Sequence, residues 1–509
     1  MMSRNIESIR PNSICALLTL GIAVASLARA DVTYTESAAR TGDSLTVIKM
    51  TVTPAAEPVP ALKYRLIARD MDLKPGNAAP YYYRALLDST RTMDRVRKEF
   101  GDEFDTWYIG GNDAMPIGEL PLDRVREAVQ MSSGPIRDYL LDAMRRRDCD
   151  WELDMGELRG PDVIAFLLPE FQASRELGRI LSLQSRLATA EGRYDDAIAA
   201  MRMNYRLGHD VAKEPYIVCG LIGIAIDGIT NGTVTELIAA PNSPNLYWAL
   251  TEMPQPPIDL RPAARFEMDF GPRMFPFIHN AETTEHSPQE WNRLFVNVIP
   301  DLAKLGAEGL AVQSDAQAGL MATAVALLGY PHAKEQLVAQ GFDRQQVEAM
   351  AVGQVMAIYT ERNYRQFADD FEKLWYVPFA DMHKADDAVA KRLGGAKLVS
   401  GGDEREVLPI VTLLLPAMQA ARTSQVRLER DVAALRVIEA LRIYAAEHDG
   451  ALPQSLADID QVPVPDNPAT GKPFVYRLAG QTAILELPPS DRIPGYNRRF
   501  EIQIASTDK

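Results

Sequence analysis

The sequence predicts a mainly α protein: a multi-helical body with a repeat-like αα-hairpin, then a C-terminal long helix with a small antiparallel β-hairpin module. Three observations carry this. Apolar residues recur at spacings of three and four through most of the stretch from Leu122 to Leu393, the signature of helices with one buried face. Strand-like, β-branched stretches are confined to the two ends of the chain. A single long helical run, "VLPIVTLLLPAMQAARTSQVRLERDVAALRVIEALRIYAAEHDG", precedes the last of them.

The first thirty residues read as a leader. Arg4 and Arg10 come first, then the apolar run Ile14 to Leu27, then Ala28-Arg29-Ala30, the small-x-small pattern of a secretory signal peptide. The run is shorter than the ~20 residues a helix needs to cross a bilayer, so cleavage after Ala30 is expected and no transmembrane anchor after it. Cys15 lacks the preceding small residues of a lipid-attachment site. The expected localisation is periplasm, cell envelope or medium.

The formal charge of the chain is −15, and the leader removes three arginines and one glutamate, which leaves −17. Binding phosphate backbones or anionic membranes requires cationic side chains, so nucleic acid is not an expected partner. Beyond the leader two cysteines remain, Cys149 and Cys219. An oxidising compartment permits a disulfide between them. The competing reading is a buried thiol packed as a small hydrophobe, favoured for Cys219 in "YIVCGLIGIAI".

Along the mature chain, residues 31–120 form an N-terminal extended arm and the first helices. Val47 to Val52 reads as an edge strand or an arm, because the Pro- and Ala-rich run after it cannot continue a central strand. Residues 121–400 form the helical body. Within it Ile180, Leu183 and Leu187, then Ile198, Met201 and Tyr205, mark two amphipathic helices broken at Gly192. "YIVCGLIGIAIDGIT" is apolar nearly all round but too short before Asp227 to span a membrane; a central helix is expected, with Gly220, Gly223 and Gly228 admitting close neighbours. The paired glycines of Leu393 to Glu404 mark a boundary. Residues 401–509 then hold the long helix, kinked near Pro416 and buried along Leu428, Val432, Leu435, Ile438, Leu441 and Ala445. His448 and Gly450 end it, and two short strands follow around Ala479-Gly480-Gln481.

In "GRYDDAI", Gly192, Tyr194 and Ala197 resemble the inter-helix signature of a tetratricopeptide repeat. The likeness implies a tight turn at the glycine, a packed tyrosine and a close approach at the alanine. No second copy lies one period away. The C-terminal seventy or so residues resemble the globular part of type II secretion pseudopilins, on Leu441, Tyr444, Gly450, Leu452, Pro453, Leu456, Asp466, Pro468, Gly471, Pro473, Phe474 and Tyr476. This implies a shared fold element, a helix leading into a small antiparallel sheet; here the module is C-terminal behind an ordinary signal peptide. Over most of its length the chain resembles a set of secreted helical proteins of planctomycete-type bacteria, on "ALKYRLIARDMDLKPGNAAPYYYRALL", "CDW", "GRYDDAI", "PNLYWAL" and "TGKPFVYRL". That likeness implies no particular activity.

Motifs for chemistry are sparse. Gly471-Lys472 invites a phosphate-loop reading, but Asp466 stands where the first glycine is needed and Pro473 where a hydroxyl is needed. A turn into the hairpin is expected instead. No Gly-x-Ser-x-Gly, His-Glu-x-x-His, Gly-x-Gly-x-x-Gly or EF-hand pattern occurs. The nearest metal-like cluster is "DMHKADD", with Asp381, His383, Asp386 and Asp387; His383 and Asp387 would share a helix face, although zinc needs a further ligand. A solvated i,i+4 pair is the favoured reading. His279 and His286 lie in a polar loop, Asp195-Asp196 suits a helix's first turn, and Glu152 with Asp154 could form an acid/base pair only if they converge.

The expectation is therefore an exported non-catalytic helical scaffold or binding protein of the cell envelope, with protein partners there and no cofactor. The alternatives are an exported hydrolase with a site of scattered His, Asp and Glu, or a component of a pseudopilin-like secretion apparatus.

Overall fold

The computed structural model describes residues 31–37, 44–109, 114–153, 169–275, 277–304, 314–382, 410–490, 493 and 495–505. Among them the chain is mainly helical with a small mixed sheet.

The sheet joins the first and the last of the described segments. Strands β1 (Asp31–Ser37) and β2 (Leu45–Val52) lie beside the last strands of the chain. A two-stranded pair, β3 (Lys74–Asn77) with β4 (Arg146–Asp148), lies apart. Near the C-terminus β5 (Val475–Ala479), β6 (Thr482–Leu487) and β7 (Asn497–Ile504) complete a five-stranded sheet in the order β1-β2-β7-β6-β5. Every pair in it is antiparallel except β2 with β7, which run parallel.

This corrects the reading of Val47 to Val52 as an edge strand or an arm laid over the body. The stretch is an inner strand, and the prolines that argued otherwise begin at Pro54, after the last paired residue. The β5–β6 hairpin continues into a wider sheet, which β7, β2 and β1 extend.

Twelve helices are described: α1 (Ala79–Phe100), α2 (Leu122–Met144), α3 (Pro169–Ala190), α4 (Tyr194–Val211), α5 (Ile217–Ile238), α6 (Tyr247–Thr251), α7 (Arg261–Met274), α8 (Pro288–Lys304), α9 (Asp315–Ala339), α10 (Arg344–Ala349), α11 (Val352–Glu372) and α12 (Ile410–Glu447). Their side chains form two hydrophobic cores. One gathers α1 to α3 and one face of α4 around Trp107, Trp151, Leu183 and Leu207, while the Ile198, Met201 and Tyr205 face of α4 enters the other. The other gathers the sheet, α12 and the helices from α6 onward around Ile48, Trp291, Leu441 and Phe500.

Helix α5 belongs to both. Its Cys219, Ile222 and Ile226 enter the first core, while Val234, Leu237 and Ile238 enter the second. A helix between two cores is buried over most of its circumference, and so its sequence is apolar nearly all round. It continues past Asp227 to twenty-two residues, with mean hydropathy 1.6 over an 18-residue window that is 67% buried. The expectation that it is too short to span a membrane thus fails on length, because Asp227 and the polar residues after it are accommodated inside the helix. Burial makes it a central helix.

Two glycines explain its close packing. A Cβ on Gly223 would lie 2.6 Å from the Gly208 carbonyl oxygen and 2.9 Å from the Ala212 Cβ, and one on Gly220 would lie 2.1 Å from the Leu260 Cδ2. Gly228 differs: a Cβ there would meet nothing within 4 Å. The expectation of a close neighbour at Gly228 is replaced by open space.

Candidate functional site

The parallel register brings two rows of side chains to one face of the sheet. Tyr34, Ile48 and Phe500 stand opposite one another in the first, and Thr46 with Arg498 in the next. Further along the same face Met50 and Ile502 are buried in the core. Toward Thr46 and Arg498 the packing ends, and a cleft of ≈ 950 Å³ opens between the sheet and the helices.

The helical wall is a stripe of α5. Gly228, Asn231, Gly232 and Thr235 follow one another at i, i+3, i+4 and i+7 and therefore share a face. Gly228 leaves the space open, whereas Gly232 admits the side wall, since a Cβ there would lie 2.6 Å from Ile109 Cγ2. Asn231 is 5% exposed. Its Oδ1 accepts a hydrogen bond from the Tyr205 hydroxyl at 2.6 Å, and its Nδ2 has no partner. A buried amide with one end unpaired is costly, so such a group marks a place where something else supplies the bond.

The side wall, Thr106 and Ile109 with Ala114, Met115, Pro116 and Glu119, is positioned by Arg186 of α3. This buried guanidinium donates to the carbonyl oxygens of Trp107 and Met115, and pairs with both carboxylate oxygens of Glu236 at 2.7 and 2.8 Å. Burial pushes the Glu236 carboxyl above its usual range, and Arg186 opposes that shift. The Ile109 amide donates to Ser182 Oγ at 3.1 Å. The fourth wall is α12, through Asp431 and Leu435. Asp431 accepts from the Tyr496 hydroxyl and from Arg498 Nη1 at 2.8 Å. Asp431 is the main reason that the Arg498 pKa is raised; burial and then Asp431 hold the Tyr496 phenol well above its ordinary value.

No family model, curated protein or solved structure matches this chain. Function therefore has to be argued from the cleft and its surroundings.

The residues singled out in the sequence lie elsewhere. His383, Asp386 and Asp387 fall outside the described residues, as do Asp154 and the boundary at Leu393 to Glu404. His279 contacts Asn280, while the His286 ring packs edge-on against Trp291 at 4.8 Å. Among the described residues no group of three or more His, Cys, Asp or Glu is placed to hold a metal ion. Asp196 pairs with Arg193 in the first turn of α4. Cys149 and Cys219 are free thiols, so the disulfide considered above is not formed. Each is committed to the first core instead, Cys219 fully buried on α5 and Cys149 packed against its edge. Burial pushes both thiols up, away from the reactive thiolate.

The Gly471 stretch is a closed turn. The amides of Thr470 and Gly471 both donate to the Asn467 carbonyl, at 3.0 and 2.8 Å, and Gly471 has φ 62°. Those N–H groups are occupied, so no cradle for a phosphate remains. Pro473 follows the turn, and the Tyr476 hydroxyl donates to the Pro453 carbonyl at 2.7 Å.

Sequence reasoning missed Tyr34, Asn231, Asp431 and Arg498, which no motif connects. One signal was available. Small and polar residues at Gly228, Asn231, Gly232 and Thr235 recur on one face of an otherwise apolar helix, a pattern that marks a face turned away from the core. A second missed pair is His209 and Asp227, 3.4 Å apart between α4 and α5. Burial raises the Asp227 pKa against the influence of His209, and Gly208 leaves the space that its carboxyl fills.

Proposed function

We propose that this protein is an exported binding protein of the cell envelope that holds a ligand in the cleft between its sheet and helix α5. The observation that carries the reading is the convergence of Tyr34, Asn231, Asp431 and Arg498 on an open space of ≈ 950 Å³, within the size range of ligand sites. Binding is favoured over turnover because two of the carboxylates at the cleft are already held, Asp431 by Tyr496 and Arg498 and Glu236 by Arg186, and no histidine is among the lining residues to work with the third, Glu119. Export rests on the leader pattern of residues 1–30, and protein partners in the envelope are part of the same reading.

The finer view of the fold belongs to this proposal. A repeat-like hairpin is supported by Gly192 at φ 72°, by the Tyr194 hydroxyl donating to the Pro241 carbonyl, and by the full burial of Ala197. A pseudopilin-like C-terminal module is supported by the thirty-eight-residue α12 leading into the β5–β6 hairpin. The hydrolase alternative has one observation in its favour, the His209–Asp227 pair.

The test is thermal stabilisation of the processed protein by fractions of an envelope extract, comparing wild type with Gly228→Leu, which puts a bulky side chain into the cleft. Stabilisation of the wild type alone supports the reading. Cleavage of an extract component that is lost in His209→Ala would replace binding with hydrolysis.

A further inference from the structure

Resting on the cleft as a ligand site, we propose that its ligand is a neutral polyhydroxylated molecule of the saccharide class. The hydrogen-bonding character of the walls leads there. The Thr106 hydroxyl donates to the Glu103 carbonyl at 2.7 Å and the Thr235 hydroxyl to the Asn231 carbonyl at 2.8 Å. With their protons engaged, both oxygens offer only lone pairs to anything else. Glu119 and Asp431 add carboxylates. The lining is therefore rich in acceptors, and the ligand has to bring donors.

It also has to bring an acceptor. Asn231 Nδ2 is buried in the α5 wall with no partner. If the amide is turned over, Tyr205 accepts from the nitrogen and the oxygen is left unpaired instead, because the hydroxyl can serve either way. Only a group that both donates and accepts satisfies either arrangement, and a hydroxyl does so.

Charge separates the remaining classes. Arg498 is the cationic side chain among the residues lining the cleft, and Asp431 already holds it at 2.8 Å. A phosphate or carboxylate would meet the charge of Glu119 without a cation free to receive it. An amine would suit the acceptors but leave Asn231 as it is. Finally, Tyr34 is 43% exposed beside Phe500 and Ile48, which provides a flat apolar surface for the C–H face of a sugar ring.

The experiment is isothermal titration of the processed full chain with maltotetraose, cellotetraose and chitotetraose. Tetragalacturonate, spermidine and an unstructured neutral decapeptide serve as competing classes. At least one neutral oligosaccharide is expected to bind at one per chain. Gly228→Leu is expected to abolish that binding while melting as a folded protein, and Asn231→Leu to weaken it about tenfold, the loss of one hydrogen bond. Should Gly228→Leu misfold, Thr46→Trp obstructs the same space from the sheet. Binding of the acid, the amine or the peptide, lost in Gly228→Leu, overturns the saccharide assignment and leaves the binding reading intact. No binding by any of the six, or binding that survives both obstructing variants, overturns both.

Discussion

Ile48 stands directly opposite Phe500 across the parallel pair β2–β7, so the first long strand of the chain is the neighbour of its last. Tyr34 and Leu485 extend the row on either side. The first and last described strands of the chain thus belong to one hydrogen-bonded sheet and one core. Replacing the buried Phe500 by Ala is expected to cost about 3–5 kcal/mol in urea unfolding. Hydrogen exchange should show residues 45–52 losing protection together with 497–504. Loosening of the C-terminal strands alone would contradict the shared ladder.

Glycines on α5 divide by what faces them. Gly223→Ala drives a methyl group into the Gly208 carbonyl, and the α4–α5 contact must open; a destabilisation of about 1–3 kcal/mol follows. Gly228→Ala meets nothing and gains helix propensity, stabilising by about 1 kcal/mol. Thermal melts of the two variants should therefore shift in opposite directions.

Arg442 and Glu439 form a fully buried pair on α12 with Nη1 to Oε2 at 2.9 Å. Arg442 also donates to the carbonyls of Thr53 and Ser243, and Glu439 accepts from the Leu246 amide, so the pair fastens the chain after β2 and the 243–246 segment to the long helix. Arg442→Met leaves the carboxylate buried without its partner, at a cost of about 3–5 kcal/mol near neutral pH. Burial already raises the Glu439 pKa and Arg442 is the main opposing influence. In the variant the neutral acid is favoured further, so the deficit measured by urea unfolding should shrink as pH falls toward about 5.

Asp227 provides a pH dependence of the opposite kind to a surface carboxylate. Its pKa is raised by burial, so the folded state binds the proton more tightly than the unfolded chain. The associated stability is complete below the unfolded value of about 3.9 and is lost as pH rises through the folded value. Asp227→Asn keeps the shape and removes the titration. Its melting temperature relative to wild type should rise as pH increases from about 4 and level off once the folded carboxyl ionises; a constant difference would show that Asp227 is not held neutral.

Local patterns were sufficient wherever a residue's neighbours in space are its neighbours in sequence. The α4 face of Ile198, Met201 and Tyr205 follows from spacing alone. The end of α12 is similarly local. His448 stacks on Tyr444 at 3.8 Å, and the Gly450 amide, at φ 83°, returns to the Ala445 carbonyl at 2.8 Å. The turn at Gly471 is decided within six residues, by the bonds between Asn467 and Lys472. Each of these rests on backbone geometry that side-chain type alone can signal.

The cleft rests on nothing of that kind. Tyr34, Asn231, Asp431 and Arg498 come from β1, α5, α12 and β7, and no spacing relates them. The parallel pairing of β2 with β7 was equally hidden, because a strand's sequence encodes its alternation of faces but not its partner. By itself the sequence determined helical content, the caps and turns, and which faces turn inward, since these follow from periodicity and local hydrogen bonding. Only the tertiary structure decided that the chain's ends close one sheet over α12, and that the glycine-asparagine stripe of α5 borders open space. Those outcomes depend on contacts between distant segments, whose free energy is set by shape and burial in three dimensions.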